Sequence, residues 1–235
     1  MNSKKRVHAA LSREPVDRVP VYMWFHPDTA HHISDLLEIP VNYLGDAMGN
    51  DVRQTWINNN YAMEGITHEH NGEGHIDFWG IKWVKEGAFN QPVGFPLTGA
   101  GKEELLSYKF PNNKIDFLLN LMGPVLEQQE SYFIGCDVSP CVFEMYWRLR
   151  GLENALTDMV ANTELTRTMF KRCAHFALTL ARKACSAFPL DWLWTGDDIA
   201  GQTSLIISPE SWRELIKPLL AEIFAVGKSH GLWVA

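Results

Sequence analysis

The order of strand-like and helix-like segments is the feature that most restricts the fold of this chain. Short apolar runs, typical of buried strands, alternate with longer stretches whose apolar residues recur at helical spacing. Repetition of strand, helix and strand predicts an α/β fold with a parallel sheet and helical crossovers. Since 46% of the 235 residues are hydrophobic and no segment resembles a linker, we treat residues 1–235 as one domain with a packed core.

The segments themselves are predicted from their periodicity. The strands are expected at 18–25, 132–136, 192–196 and from 232 onward. Helical spacing occupies 115–126 and 142–187, and a further helix begins at Ser208-Pro209, with a kink at Pro218 and an end at Gly231. Alternation at 77–84, amid many Gly and Pro residues, predicts an antiparallel excursion around 65–100.

Composition and charge exclude several classes of protein. A net charge of −7 argues against nucleic-acid binding, which requires a basic surface. The sequence contains neither an apolar run of membrane-spanning length nor an apolar segment after its basic N-terminus, so we expect no membrane span and no signal peptide. The four cysteines form no CxxC pair, and we interpret them as reduced thiols of a cytoplasmic protein.

Candidate functional residues cluster at the predicted strand ends, where α/β enzymes place their chemistry. They are Trp24, His26, Asp51, Asp137, Asp197 and Asp198. A single Asp at such a position is also a common cap of a turn or helix. The adjacent pair Asp197 and Asp198 favours function, because neighbouring carboxylates repel and must be held by donors, a metal or a substrate.

A second group of polar residues has the spacing of a metal cluster. His68, Glu69, His70 and His75 lie close together in sequence, but Asn71, Gly72 and Gly74 among them are typical of a surface loop. A metal site and a surface loop without bound metal are both compatible with this segment.

Three stretches resemble the uroporphyrinogen decarboxylase superfamily, which also contains methyltransferases that work with corrinoid proteins. They are NSKKRVHAALSREPVDRVPV (2–21), FEMYWRLRGLENALTDMVAN (143–162) and GDDIAGQTSLIISPESWRELIKPLLAEIFAVGKSHG (196–231). The resemblance implies a (β/α)8 barrel of the TIM type. Because the chain is shorter than family members and stops as a strand begins, it also implies a C-terminally truncated barrel with about five of its eight strands. Such an open sheet is expected to self-associate.

The decarboxylase branch matches this chain at some positions and departs from it at others. Its catalytic tyrosine falls at Tyr146, and the aspartate that binds the pyrrole NH groups falls at Asp51. Its substrate-binding serine falls at Asp198, so that match is lost. The arginine motif that follows its first strand is absent from YMWFHPDTAH (22–31), which counts against a porphyrinogen rich in carboxylates.

The methyltransferase branch is closer at GDDIAGQ (196–202). The resemblance implies methyl transfer between a corrinoid protein and a small-molecule acceptor or donor. Zinc and a corrinoid (methylcobalamin) are implied for the full-length enzyme, but the zinc ligands would lie after Ala235, so we expect no metal in this chain alone. The expected catalytic residues are Asp198, Asp197, Asp51 and Tyr146, and the expected substrate-binding residues are Trp24, His26, Asp137, Glu144 and Gln202. The alternatives are uroporphyrinogen decarboxylation in porphyrin biosynthesis and a non-catalytic fragment or binding module.

Overall fold

Two sheets organise the described part of the chain. The structure is a computed structural model and describes residues 1–25, 27–58, 68, 70–87 and 89–235. The strands are β1 (Val52–Trp56), β2 (Gly74–Ile76), β3 (Lys82–Glu86), β4 (Phe89–Gly94), β5 (Phe133–Asp137), β6 (Trp192–Trp194) and β7 (Trp233–Val234). A parallel sheet has the order β1-β5-β6-β7, and an antiparallel sheet has the order β2-β3-β4.

Three of the described α-helices precede the first parallel strand, and the others lie in the connections between parallel strands. The α-helices are α1 (Ser3–Leu11), α2 (Pro27–Leu37), α3 (Leu44–Ala47), α4 (Lys102–Ser107), α5 (Ile115–Asn120), α6 (Gly123–Leu126), α7 (Phe143–Arg150), α8 (Leu152–Ala161), α9 (Thr163–Ala187), α10 (Pro209–Ser211) and α11 (Lys217–Ser229). Short 3-10 turns occur at Val41–Tyr43 and Asn112–Lys114. Within the described residues, no helix is both long and apolar enough to cross a membrane.

The two faces of the parallel sheet have different partners. Ile134, Cys136 and Leu193 belong to the main core together with residues of α9 and α11. The opposite face carries two rows of residues in register: Gln54, Gly135, Trp192 and Trp233, then Trp56, Asp137 and Trp194. The second row is the one nearer the carboxyl ends of the strands.

Close packing on that second face depends on a glycine. A Cβ atom at Gly135 would lie 1.5 Å from the indole nitrogen of Trp192 on the neighbouring strand. The absence of a side chain therefore makes room for the large ring of Trp192. At the amino end of the sheet, Val7 of α1 packs against Val52 and Phe133 and covers the face.

The predicted α/β class, the parallel sheet and the antiparallel excursion within 65–100 are confirmed. The predicted strand at 18–25 is wrong. Pro20 has no N–H to donate, and the N–H of Val21 donates to the Asp51 carboxylate instead of to a neighbouring strand. Val19 is exposed, so this segment is also not a buried strand. Four parallel strands are formed in the described residues, not five, and they make an open sheet without barrel closure.

The helix after Ser208 begins as predicted. The Ser208 hydroxyl accepts the N–H of Ser211, and Pro209 is the first helical residue. The irregularity expected from Pro218 is a π-helical segment at Trp212–Ile216, just before the proline. Because proline lacks an N–H and its ring collides with the preceding turn, a regular α-helix cannot continue through it unchanged.

Candidate functional site

An open cleft of about 520 Å³ lies at the carboxyl ends of β1, β5 and β6. Its lining is dominated by aromatic rings and carboxylates: Tyr22, Trp24, Gln54, Trp56, Asp137, Ser139, Glu144, Trp194, Gly196, Asp197 and Asp198. The second row of sheet residues forms its floor, and the segments that follow β5 and β6 form its walls.

Asp137, the last residue of β5, is buried at the base of this cleft. Its carboxylate accepts the N–H of Ser139 at 2.8 Å and the side-chain amide of Gln54 at 3.2 Å. Burial raises the pKa of Asp137 to about 7, although these hydrogen bonds oppose the shift and the nearby Glu144 adds to it. This carboxyl group therefore exchanges a proton near neutral pH.

Asp197 holds the first turn of α7. Its carboxylate accepts the N–H groups of Val142 and Glu144, each at 3.0 Å, so it occupies the position of a helix cap. Burial raises the pKa of Asp197 to about 7, against the effect of those backbone donors. Two carboxyl groups with pKa values near neutrality thus share one cleft.

Glu144 and Asp198 complete the acidic lining. Glu144 forms an ion pair with Arg148, one turn along α7. Its other oxygen lies 3.5 Å from the N–H of Asp198. The exposed Asp198 carboxylate accepts the N–H of Ala200 at 3.2 Å.

Aromatic side chains surround these carboxylates. The Tyr22 hydroxyl donates to Gln54 at 3.0 Å, and the Trp56 indole donates to the carbonyl of Ser139 at 2.5 Å. Trp194 meets Trp192 edge to face, with ring centroids 5.4 Å apart. Trp24 is 64% exposed and Trp194 is 37% exposed. The cleft therefore offers accessible indole surface beside buried carboxylates.

The structure brings together part of the predicted site. The predicted residues that line the cleft are Trp24, Asp137, Glu144, Asp197 and Asp198. His26 lies outside the described residues. Gln202 is exposed in the loop after Asp198 and is not among the described lining residues.

Asp51 lies at the other end of the sheet, so its predicted location is wrong. It precedes β1 instead of following a strand, and it is completely buried. Its carboxylate pairs with Arg6 at 2.6 Å and with Arg18 at 2.8 Å. These ion pairs tie the N-terminal helix α1 to the sheet, which is a structural role.

Tyr146 is also remote from the cleft. Its side chain is buried in the core on α7, where its hydroxyl donates to Asp158 at 2.7 Å and its ring meets Phe170 edge to face. Burial, reinforced by the hydrogen bond to Asp158, raises the pKa of Tyr146 well above its usual range. This environment disfavours proton transfer by the phenol.

Several cleft residues were not predicted from the sequence. Tyr22, Gln54, Trp56, Ser139 and Trp194 line the cleft beside the expected carboxylates. Gln54 and Trp56 are two residues apart on β1 and therefore lie on the same face of the sheet. A correct prediction of this strand would have indicated both residues. Trp194 occupies the end of a strand that was predicted.

The histidine cluster forms only in part. The ring nitrogens of His68 and His75 lie 2.9 Å apart, and burial lowers the pKa of His75. Glu69 lies outside the described residues. Among the residues that the structure describes, no group of three or more His, Cys, Asp or Glu side chains is arranged to hold a metal ion.

Comparison with known proteins gives one structural likeness. No family model matches the chain, and no curated protein matches it. A solved structure of a methyltransferase from Methanosarcina mazei superposes on the whole chain, with a TM-score of 0.58 and 17% sequence identity. This chain covers 68% of that protein. At this level of identity the likeness shows that the two proteins share a fold.

Proposed function

We propose that this chain is a barrel-type enzyme of the uroporphyrinogen decarboxylase superfamily, from its methyltransferase branch. In this proposal the cleft holds a small molecule that gives or receives a methyl group, and a corrinoid carried by another protein is the second reactant. The observation that carries the proposal is the cleft itself. Its buried carboxyl groups lie at the carboxyl ends of parallel strands, where folds of this type place their active sites. The GDDIAGQ resemblance and the fold shared with a methyltransferase support the same assignment.

The charge of the cleft favours methyl transfer over porphyrinogen decarboxylation. Four carboxylates line it, and its described lining includes no Lys, Arg or His. A porphyrinogen carries many carboxylates and needs cationic partners. In addition, the two residues matched to the decarboxylase mechanism, Asp51 and Tyr146, are engaged by other partners outside the cleft.

The residues of the chain have distinct tasks in this proposal. The corrinoid supplies the nucleophile or the methyl group when it is bound. Gln54 and Ser139 fix the orientation of the Asp137 carboxyl group, and the first turn of α7 fixes that of Asp197. With pKa values of about 7, both groups are suited to protonate or deprotonate the heteroatom that loses or gains the methyl group.

Zinc has no assigned place in this proposal. All four cysteines are buried, and the described side chains do not provide a metal-binding group. No step of this proposal is assigned to zinc, and no residue of this chain is assigned as a zinc ligand.

Visible spectroscopy tests methyl transfer directly, because methylation and demethylation change the absorption of free cobalamin. We expect purified protein to accelerate demethylation or methylation of added cobalamin in the presence of a small-molecule partner. Asp197→Asn is expected to lower this rate by about 100-fold, because proton transfer by a positioned side chain contributes on that order. Asp116→Asn, on the exposed surface of α5, is the matched control.

Two results would contradict the assignment. An unchanged rate in a folded Asp197→Asn variant would remove the carboxylate from the reaction. A folded protein without methyl transfer to or from any small molecule tested would favour the alternative of a non-catalytic binding module.

A further inference from the structure

We propose that the cleft binds a methylated onium cation, an organic ion whose positive charge lies on a nitrogen or sulfur bonded only to carbon. The inference rests on the proposed function, in which the cleft holds the small-molecule partner of methyl transfer. It follows from three properties of the cleft: its charge, the occupation of its carboxylate oxygens, and its aromatic lining.

The charge of the cleft attracts cations. Asp137, Glu144, Asp197 and Asp198 all line it, and the described lining has no basic side chain. Arg148 compensates one of these carboxylates by pairing with Glu144 from its own helix. A cleft lined by charges of one sign focuses such a field, because its walls have a lower dielectric constant than water.

The carboxylate oxygens of Asp137 and Asp197 are already occupied by donors. Both oxygens of Asp137 accept hydrogen bonds, from Ser139 and Gln54, and both oxygens of Asp197 accept from backbone N–H groups. A primary ammonium or guanidinium ion would compete with those internal donors for its own hydrogen bonds. An onium ion has no N–H or S–H to satisfy, so it gains from the negative field without disturbing this network.

The aromatic lining suits a cation surrounded by methyl groups. Tyr22, Trp24, Trp56 and Trp194 line the same cleft as the carboxylates. Aromatic rings attract cations through their quadrupole, and tryptophan is the most effective ring. The methyl groups of an onium ion also bury apolar area against the rings, which a hydrated metal ion cannot do.

The reaction of such a ligand balances without a further reactant. When bound, a corrinoid would supply the electron pair of the new bond to the methyl carbon, and the electron pair of the broken C–N or C–S bond would stay on the nitrogen or sulfur of the ligand. The product is a neutral tertiary amine or thioether. A thioether carries no positive charge, so the acidic cleft holds it less tightly and releases it. A tertiary amine is a base at neutral pH and takes up a proton, which Asp137 or Asp197 is placed to supply.

Isothermal titration calorimetry without any corrinoid tests the binding. The probes are choline, trimethylsulfonium and 3,3-dimethylbutan-1-ol, which has the shape of choline with a neutral carbon in place of the charged nitrogen. We expect at least one of the two cations to bind about tenfold more tightly than the neutral probe, as cation–aromatic attraction in a partly desolvated site predicts. Comparison of choline with trimethylsulfonium distinguishes a nitrogen-centred from a sulfur-centred ligand.

Proton release provides a second readout. A bound cation favours the ionised forms of Asp137 and Asp197, whose pKa values are about 7 in the free protein. Cation binding at pH 7 should therefore release protons, and the measured heat should depend on the ionisation enthalpy of the buffer. Binding at an ordinary surface patch would leave the heat independent of the buffer.

Matched variants locate the binding. Trp194→Leu is expected to weaken cation binding about five- to tenfold, and Trp194→Phe less than that, because phenylalanine keeps an aromatic ring. Trp233→Leu is the control: Trp233 lies on the same sheet face with 38% exposure, but it is not among the cleft residues. A thermal melt of each variant checks that the fold is retained.

Equal affinities for choline, trimethylsulfonium and the neutral probe would overturn the proposal. Equal losses of cation affinity in the Trp194→Leu and Trp233→Leu variants would overturn it as well. Failure of both cations to bind would overturn it too. In that case, methylation of cobalamin from an uncharged donor would leave the proposed function standing, so the two failures are distinguishable.

Discussion

Asp51, Asp137 and Asp197 show how the surroundings of a carboxyl group decide the direction in which its pKa shifts. Asp51 is surrounded by donors. Burial alone would raise its pKa, but the N–H of Val21 and the side chains of Ser3, Arg18 and Arg6 lower it below the usual value. Asp137 and Asp197 have hydrogen-bond donors but form no ion pair with any described residue, and burial raises the pKa of each to about 7. The presence of guanidinium partners thus accompanies a lowered pKa, and their absence among the described partners of Asp137 and Asp197 accompanies a raised pKa.

Asp137→Asn tests this difference through the pH dependence of stability. A carboxyl group with a raised pKa in the folded protein stabilises it below the unfolded pKa of about 4 and loses that contribution as the pH rises through 7. Asparagine cannot ionise. We therefore expect the free energy of unfolding of the variant, relative to the original protein, to increase by about 2 kcal/mol between pH 5 and pH 8. Urea denaturation at both pH values measures it.

Asp51→Asn gives the contrasting result in the same assay. Its lowered pKa stabilises the fold above about pH 4, and removal of one partner from a buried ion pair costs about 3 kcal/mol. This variant should lose stability equally at pH 5 and pH 8. If Asp137→Asn behaved in the same way, the interpretation of Asp137 as a group that titrates near neutrality would be wrong.

At the level of elements, the sequence was informative where burial made strands apolar. Strands β5 and β6 are apolar because they lie between neighbouring strands, and both were predicted. Strand β1 reads VRQTW, and its three consecutive polar residues concealed it. The apolar segment around Val21 has the pattern of a strand. The N–H of Val21 nevertheless donates to the Asp51 carboxylate instead of to a neighbouring strand. Local patterns could not reveal a long-range contact of that kind.

Gly135→Ala tests the contact between strands that shapes the sheet face. The new Cβ would collide with the Trp192 indole, so the ring must move, and we expect a loss of about 2 kcal/mol in the free energy of unfolding. Trp192→Phe should recover part of this loss in the double variant, because a smaller ring leaves space. Gly123→Ala is the control, since its Cβ would meet no atom within 4 Å. Additive effects of Gly135→Ala and Trp192→Phe would contradict the collision.

On the scale of the whole molecule, the strand order explains how much of the site was predictable. Parallel strands bring their carboxyl ends to one edge, so residues far apart in sequence, such as Asp137 and Asp197, were expected together and lie together. The same reasoning failed for Asp51, because it depended on the position of a strand boundary. Apart from Trp24, the aromatic residues of the cleft were not predicted, because the positions of these rings depend on the register between strands, which the sequence does not state.

The open sheet leads to the last prediction, which concerns association. Among the described residues, β1 and β7 have a strand partner on one side only, and Trp233 on β7 is partly exposed. An unpaired strand edge with apolar neighbours favours pairing with a second copy. We expect the 235-residue polypeptide to self-associate at micromolar concentration in sedimentation velocity experiments, and Trp233→Lys to reduce the associated fraction by placing a charge on the edge. Val160→Lys makes the same change in charge at an exposed position on α8 and should leave association unchanged. A monodisperse monomer, or equal effects of the two lysines, would mean that the edge of β7 does not drive association.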